Sequence, residues 1–384
     1  MTEFLPDAVP DNLEPSQYYE LGLRYRLGGL VGLAREALTR VVNLAPGSAM
    51  ARKASFVLRG QLPRAPVPSA AEQRNIEAYN LMSSNPAAAK EKFQALMREY
   101  PDFEWPFSNL AWMYFGEGKI DEAHGLAKYL LSVNPEHVRS LHLAMKVAIK
   151  QQKFEEALGY VNRGRAMLGA SDQEFRDTGL MLSCQLNGSP PDTIPKGLAA
   201  ERLFELGETY LLQGRLSLAK EALALVVGSS TEEPPDKETE VLIRKAKRML
   251  DFDMPKEMPP EAMKQVEEAS KLLMTDPEES RRILEQTVTQ FPDLELPPLS
   301  LAMLCLMSAN LPRAERFVKM SLKRNPNYRN AKLLLIQVLM GQQQFASAQK
   351  IIDQEIKSAE PDDMTFDLLR AECQLAQYQT GKLS

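Results

Sequence analysis

The chain has 384 residues, 44% hydrophobic and 25% charged, which is the composition of a soluble folded protein. Its net charge of −5 is spread over many acidic and basic residues, so no nucleic-acid footprint follows from it. The three cysteines, Cys184, Cys305 and Cys373, stand in no metal or redox spacing and suit a reducing compartment.

In chain order, residues 1–14 hold Pro6, Pro10 and four acids with little periodicity. They read as a flexible acidic arm, either a mobile tail or a strap lying on the first helix pair. The start lacks the basic residues and apolar run of a secretory signal. Residues 15–60 carry helix-period landmarks at Tyr18, Leu21, Gly22, Tyr25, Ala34, Leu38 and Val41, then one further helix, Ala49 to Gly60. Residues 61–69 contain three prolines, which favours an extended connector.

Residues 70–187 give three helix pairs and an unpaired capping helix, Asp172 to Leu186. Within them, Glu104 to Pro135 has the clearest grammar. Phe107, Leu110, Ala111 and Tyr114 precede a Gly116-Glu117-Gly118 turn, and Ala123, Ala127, Leu130 and Pro135 come after it. In the next pair the closing proline is replaced by Gly169, which can end a helix by adopting positive φ. A linker spans 188–199, a helix pair plus extra helix spans 200–250, and a Pro-rich linker spans 251–260. Residues 261–380 read as three more pairs and a C-terminal capping helix. The most apolar helical stretch, Leu299 to Met307, is too short to span a bilayer. A soluble cytoplasmic protein with no membrane span is the expectation.

This grammar resembles the tetratricopeptide repeat (TPR), a helix–turn–helix unit of about 34 residues. Two longer offsets are superimposed on it. Leu21-Gly22-(x)2-Tyr25 answers to Leu206-Gly207-(x)2-Tyr210 at 185, and Pro86, Glu104, Pro106, Asn134 and Gln151-Gln152 answer to Pro277, Glu295, Pro297, Asn325 and Gln342-Gln343 at 191. Several of these are not landmarks of the generic repeat, so a unit of about 190 residues reads as tandemly duplicated. The resemblance implies an all-α, right-handed α–α superhelical repeat solenoid, with a concave groove lined by the first helix of each pair and a role in holding other proteins.

No catalytic or cofactor motif is present: there is no phosphate-binding glycine loop, no dinucleotide fingerprint and no nucleophile elbow. The histidines, His124, His137 and His142, lack the paired spacing of a zinc site. The expectation is a non-enzyme with no cofactor and no metal. The family's groove positions, carried over, give Trp105, Trp112 and Phe115 in one pair and Arg139, His142, Lys146 and Lys150 in the next. Asn109, Arg74 from the preceding pair and Arg176 from the unpaired helix complete the first half. This is a surface for an acidic and apolar peptide segment.

In the second half the same positions give Leu296, Leu299, Met303, Leu306 and Met307, then Leu333, Gln337 and Met340. An apolar, methionine-bearing face suits an apolar partner helix, and it equally suits a filled groove or a second copy of the chain in a homo-oligomer. The leading reading is a protein-interaction scaffold or adaptor with no nucleic-acid partner. The alternatives are an assembly subunit of a larger machine (secretion, envelope or pilus assembly) and a self-assembling structural protein.

Overall fold

The computed structural model describes residues 5–168, 173–213, 215–229, 236–256, 258–273, 275–361 and 363–380. All regular structure among them is helical. Gly169, expected to end a helix, lies outside the described residues. By contact density the chain forms two compact units, residues 1–188 with 353–384, and residues 189–352.

The first unit begins with helices α1 (Pro15–Leu27), α2 (Val31–Leu44) and α3 (Ala49–Gly60). Next come the hairpins α4 (Ser69–Asn80)/α5 (Pro86–Glu99), α6 (Glu104–Gly116)/α7 (Ile120–Val133) and α8 (Val138–Lys150)/α9 (Phe154–Leu168), and then α10 (Gln173–Asn187). The second unit holds α11 (Ala200–Leu212), α12 (Leu216–Gly228), α13 (Lys237–Arg248) with a π-helical turn at Met249–Asp253, α14 (Pro260–Leu272), α15 (Pro277–Gln290), α16 (Leu296–Met307), α17 (Leu311–Arg324) and α18 (Arg329–Gly341). Helix α19 (Phe345–Ser358) runs from the second unit into the first, and α20 (Thr365–Gln379) belongs to the first. Most helices pack chiefly on their sequence neighbours, as stacked hairpins must, and α20 is the exception in packing on α1.

Local chemistry sets the ends. Pro86 and Pro277 occupy first-turn positions, where a missing N–H costs nothing, behind Asn85 and Asp276 whose side chains accept from the Ala88 and Glu279 amides. Five of the hairpin turns hold one left-handed residue each. Gly29 and Gly118 supply it freely, whereas Gln152, Ala309 and Gln343 adopt φ of 59°, 54° and 58°. The paired glutamines are therefore the turn itself. Close helix crossings explain the small residues: a Cβ on Gly22 would sit 2.6 Å from Leu38 Cγ, and one on Gly207 would sit 2.8 Å from Leu223 Cγ.

The linkers are packed crossings. Glu104, almost fully buried, accepts from the Arg64 amide at 3.3 Å and from Asn134 Nδ2 at 3.3 Å, while Trp105 Nε1 donates to the Gln61 carbonyl at 3.3 Å. Burial is the main influence on Glu104 and raises its pKa, against those two hydrogen bonds. In the second unit Glu295 accepts from the Lys256 amide at 2.5 Å and from Asn325 Nδ2 at 3.2 Å. The shared Glu and Asn of the two halves thus pin the same crossing.

From Leu5 onward the N-terminal arm lies docked on the first helix pair. Leu5 and Val9 are buried, and Tyr25 Oη donates to the Pro6 carbonyl at 2.8 Å. Tyr210 Oη donates to the Pro191 carbonyl at the same 2.8 Å. The segments 6–10 (PDAVP) and 191–195 (PDTIP) are counterparts at the offset of 185, a signal in plain view that the repeat grammar does not cover.

Candidate functional site

In the first unit α6 touches both α4 and α8 as well as its hairpin partner, which sets the first helices of three hairpins in a row. One polar line crosses them. Arg139 Nη1 on α8 donates to Asn109 Oδ1 on α6 at 3.0 Å, and Asn109 Nδ2 donates to Asn75 Oδ1 on α4 at 3.5 Å. Asn75 and Asn109 are buried.

Arg139 is solvent-exposed, yet burial by surrounding protein lowers its pKa, with Tyr79 acting the other way. Water therefore reaches this guanidinium, while the protein packed around it disfavours its charge. Arg26 on α1 is half-buried, and its pKa is lowered to about 10, first by burial. The Glu372 carboxylate on α20 offsets this, and the positive charge of Arg139 adds to it. Two arginines and one glutamate therefore share one field. Asn75 and Arg26 were not among the residues singled out from the sequence. The frame applied to α6 and α8, extended to α1, places Tyr19, Leu23 and Arg26 at i, i+4 and i+7 on one face, and would have found the second.

A second cluster lies on α6 and α8. Trp112 meets Phe115 edge-on with ring centres 5.9 Å apart, and Lys150 Nζ stands 5.3 Å from the centre of the Phe115 ring. Trp112 is half-buried, and its Nε1 is sealed with no acceptor. The remaining expected residues are otherwise engaged. Lys146 pairs with Glu174, and His142 Nε2 lies 3.7 Å from the same carboxylate. The His142 ring stacks on Phe175 at 4.0 Å, and Phe175 fills the space above Gly164. Arg176 Nε is 3.5 Å from Asp177, and Arg74 pairs with Glu99. Trp105 is committed to the linker. The expected cation stripe is thus partly neutralised by its own chain, with acids from α5 and α10.

In the second unit the methionine face is open at its far end. Met303 and Met307 are 50% and 56% exposed, Gln337 is exposed, and Leu296, Leu306, Leu333 and Met340 are half-buried. Leu299 departs from the expectation: at 6% exposure it is core, beside the buried prolines Pro297 and Pro298 in the first turn of α16. Among the described residues no group of three or more His, Cys, Asp and Glu side chains is placed to hold a metal, and no helix is long and apolar enough to cross a membrane.

No protein-family model and no curated protein matches the chain. Solved structures do resemble it. A tetratricopeptide repeat protein from Parabacteroides merdae is 15% identical with a TM-score of 0.31, over 81% of this chain and 100% of that one. The P58(IPK) TPR domain is 13% identical with a TM-score of 0.28, over 96% and 100%. The TPR2AB domain of yeast Sti1, in its complex with pHSP90, is 12% identical with a TM-score of 0.28, over 71% and 98%. Scores this low carry no argument about partners.

Proposed function

We propose that this chain is a non-enzymatic scaffold that holds segments of other proteins, and that its first unit takes an acidic segment with apolar side chains. The observation that carries the reading is Arg139: open to water, ringed by protein, and hydrogen-bonded to a neutral amide. Such a guanidinium gains from a carboxylate more than a lysine does, because its planar fork pairs bidentately. Trp112, Phe115 and Lys150 extend the surface with the aromatic and cationic types that dominate interface energetics. Met303, Met307 and Met340 of the second unit give an adaptable apolar face for a helix. Two segments of one partner would then bind with raised effective concentration.

The test is a peptide array graded in acidic and leucine content. Binding should rise with both, fall at least about tenfold with Arg139→Glu, and fall again with Trp112→Ala. Binding indifferent to Arg139→Glu would sink the reading.

A further inference from the structure

Helix α20 returns from the end of the chain to pack on α1. Met364 and Ala371 join the core of the first unit, Leu368 packs against it, and Phe366 and Cys373 are almost wholly enclosed. Its polar anchors are charged. Lys53 Nζ on α3 donates to Asp367 Oδ2 at 2.6 Å and to the Asp363 carbonyl at 2.9 Å, and both side chains of the Lys53–Asp367 pair are at most 16% exposed. Gln374 reaches Glu20 on α1, and Glu372 lies in the field of Arg26.

The contact is well filled but not well satisfied. Tyr19 Oη and Arg26 Nε on α1, and Gln374 Oε1 on α20, are sealed without a partner. Unsatisfied atoms make an interface inexpensive to open. The acids are also particular to this end of the chain. At the offset of 191 the α10 counterparts of Asp367 and Glu372 are Arg176 and Met181, and at 185 the α1 counterpart of Arg26 is Leu211.

We propose that the α1 face is a helix-docking site occupied by the chain's own α20, and that an amphipathic partner helix with two acids five residues apart, in the pattern of Asp367 and Glu372, exchanges with it. This rests on the reading of the first unit as a taker of acidic segments and adds a resident competitor. Occupation of α1 by α20 then sets the threshold a partner must exceed.

Cys373 on α20 is fully buried, with Asp353 of α19 in its field, and burial raises its thiol pKa to about 11, so its alkylation rate reports the undocking of α20. Cys305, buried in the second unit, is the control for unfolding of that unit, and unchanged helical circular dichroism is the control for the first. The probe is a synthetic peptide of residues 363–380 carrying Ser for Cys373, added to the full chain. The expected result is a saturable rise of about tenfold in Cys373 alkylation at unchanged Cys305, absent for the peptide with both acids replaced by Lys. Lys53→Asp should speed Cys373 alkylation by about tenfold or more without peptide, and Asp367→Lys in the same chain should restore it.

Cys373 rates indifferent to peptide and to Lys53→Asp overturn the proposal, as does a parallel rise at Cys305. A peptide that binds by fluorescence anisotropy but leaves Cys373 protected overturns exchange while leaving the acidic-segment surface around Arg139 standing. Doubling of the mass in light scattering would assign the face to a second copy and overturn the partner helix.

Discussion

At the scale of single residues, two side chains run against local preference and each predicts a measurement. Ala309 holds a left-handed turn that Gly118 holds at the matching place in the other half. Left-handed backbone costs an L-residue about 1–2 kcal/mol, partly offset by the extra freedom glycine has when unfolded. Ala309→Gly should therefore stabilise the second unit by about 0.5–1 kcal/mol, read as a higher urea midpoint. His137 is buried and caps α8 by accepting from the Ser140 amide through Nδ1 at 3.3 Å. Burial first, and Arg139 second, push its pKa from 6.5 down to about 3. Below 6.5 the unfolded chain takes up a proton that the folded chain refuses, so stability falls as pH falls. The loss is about 1.4 kcal/mol per pH unit, roughly 2 kcal/mol by pH 5. His137→Asn keeps the cap without the titration and should flatten urea midpoints between pH 7 and pH 5.

At the scale of elements, the helix pairs were legible because each hairpin repeats one pattern of small and large residues. Ala123, Ala219 and Ala314 are wholly buried where their helices cross. Leu at any of them should overpack the crossing by about 1–3 kcal/mol, lowering the thermal midpoint. The linkers were less legible. Proline predicts an extended chain but not what the chain touches, and the pinning residues Glu104 and Asn134 come from helices 40 or more residues away. Glu104→Ala should leave the helices formed and raise amide exchange across residues 61–69, seen by mass spectrometry; unchanged protection would refute the pin. The site divides in the same way. Helical spacing put Trp112, Phe115 and Lys150 on one surface, and the rings do meet. It could not show that Glu174 and Glu99 take up Lys146 and Arg74, because those partners lie on other helices.

At the scale of the whole molecule, the same glycine crossing exists once in each unit. Gly22→Ala and Gly207→Ala both drive a methyl into a leucine, Leu38 or Leu223. In calorimetry each should lower one of two transitions by several degrees and spare the other, and the double variant should show both shifts independently. The sequence period marked the halves at about residue 190. Packing instead assigns residues 353–384 to the first unit, because an end helix with charged anchors binds wherever its counter-charges lie.

That assignment governs biosynthesis. Residues 353–384, which complete the first unit, are made after residues 189–352, so α1 waits through the synthesis of the second unit without α20 against it. A chain cut short before α20 would leave that face of α1 uncovered, so damage to one segment is exposed at another more than 300 residues distant, the Lys53–Asp367 pair alone spanning 314.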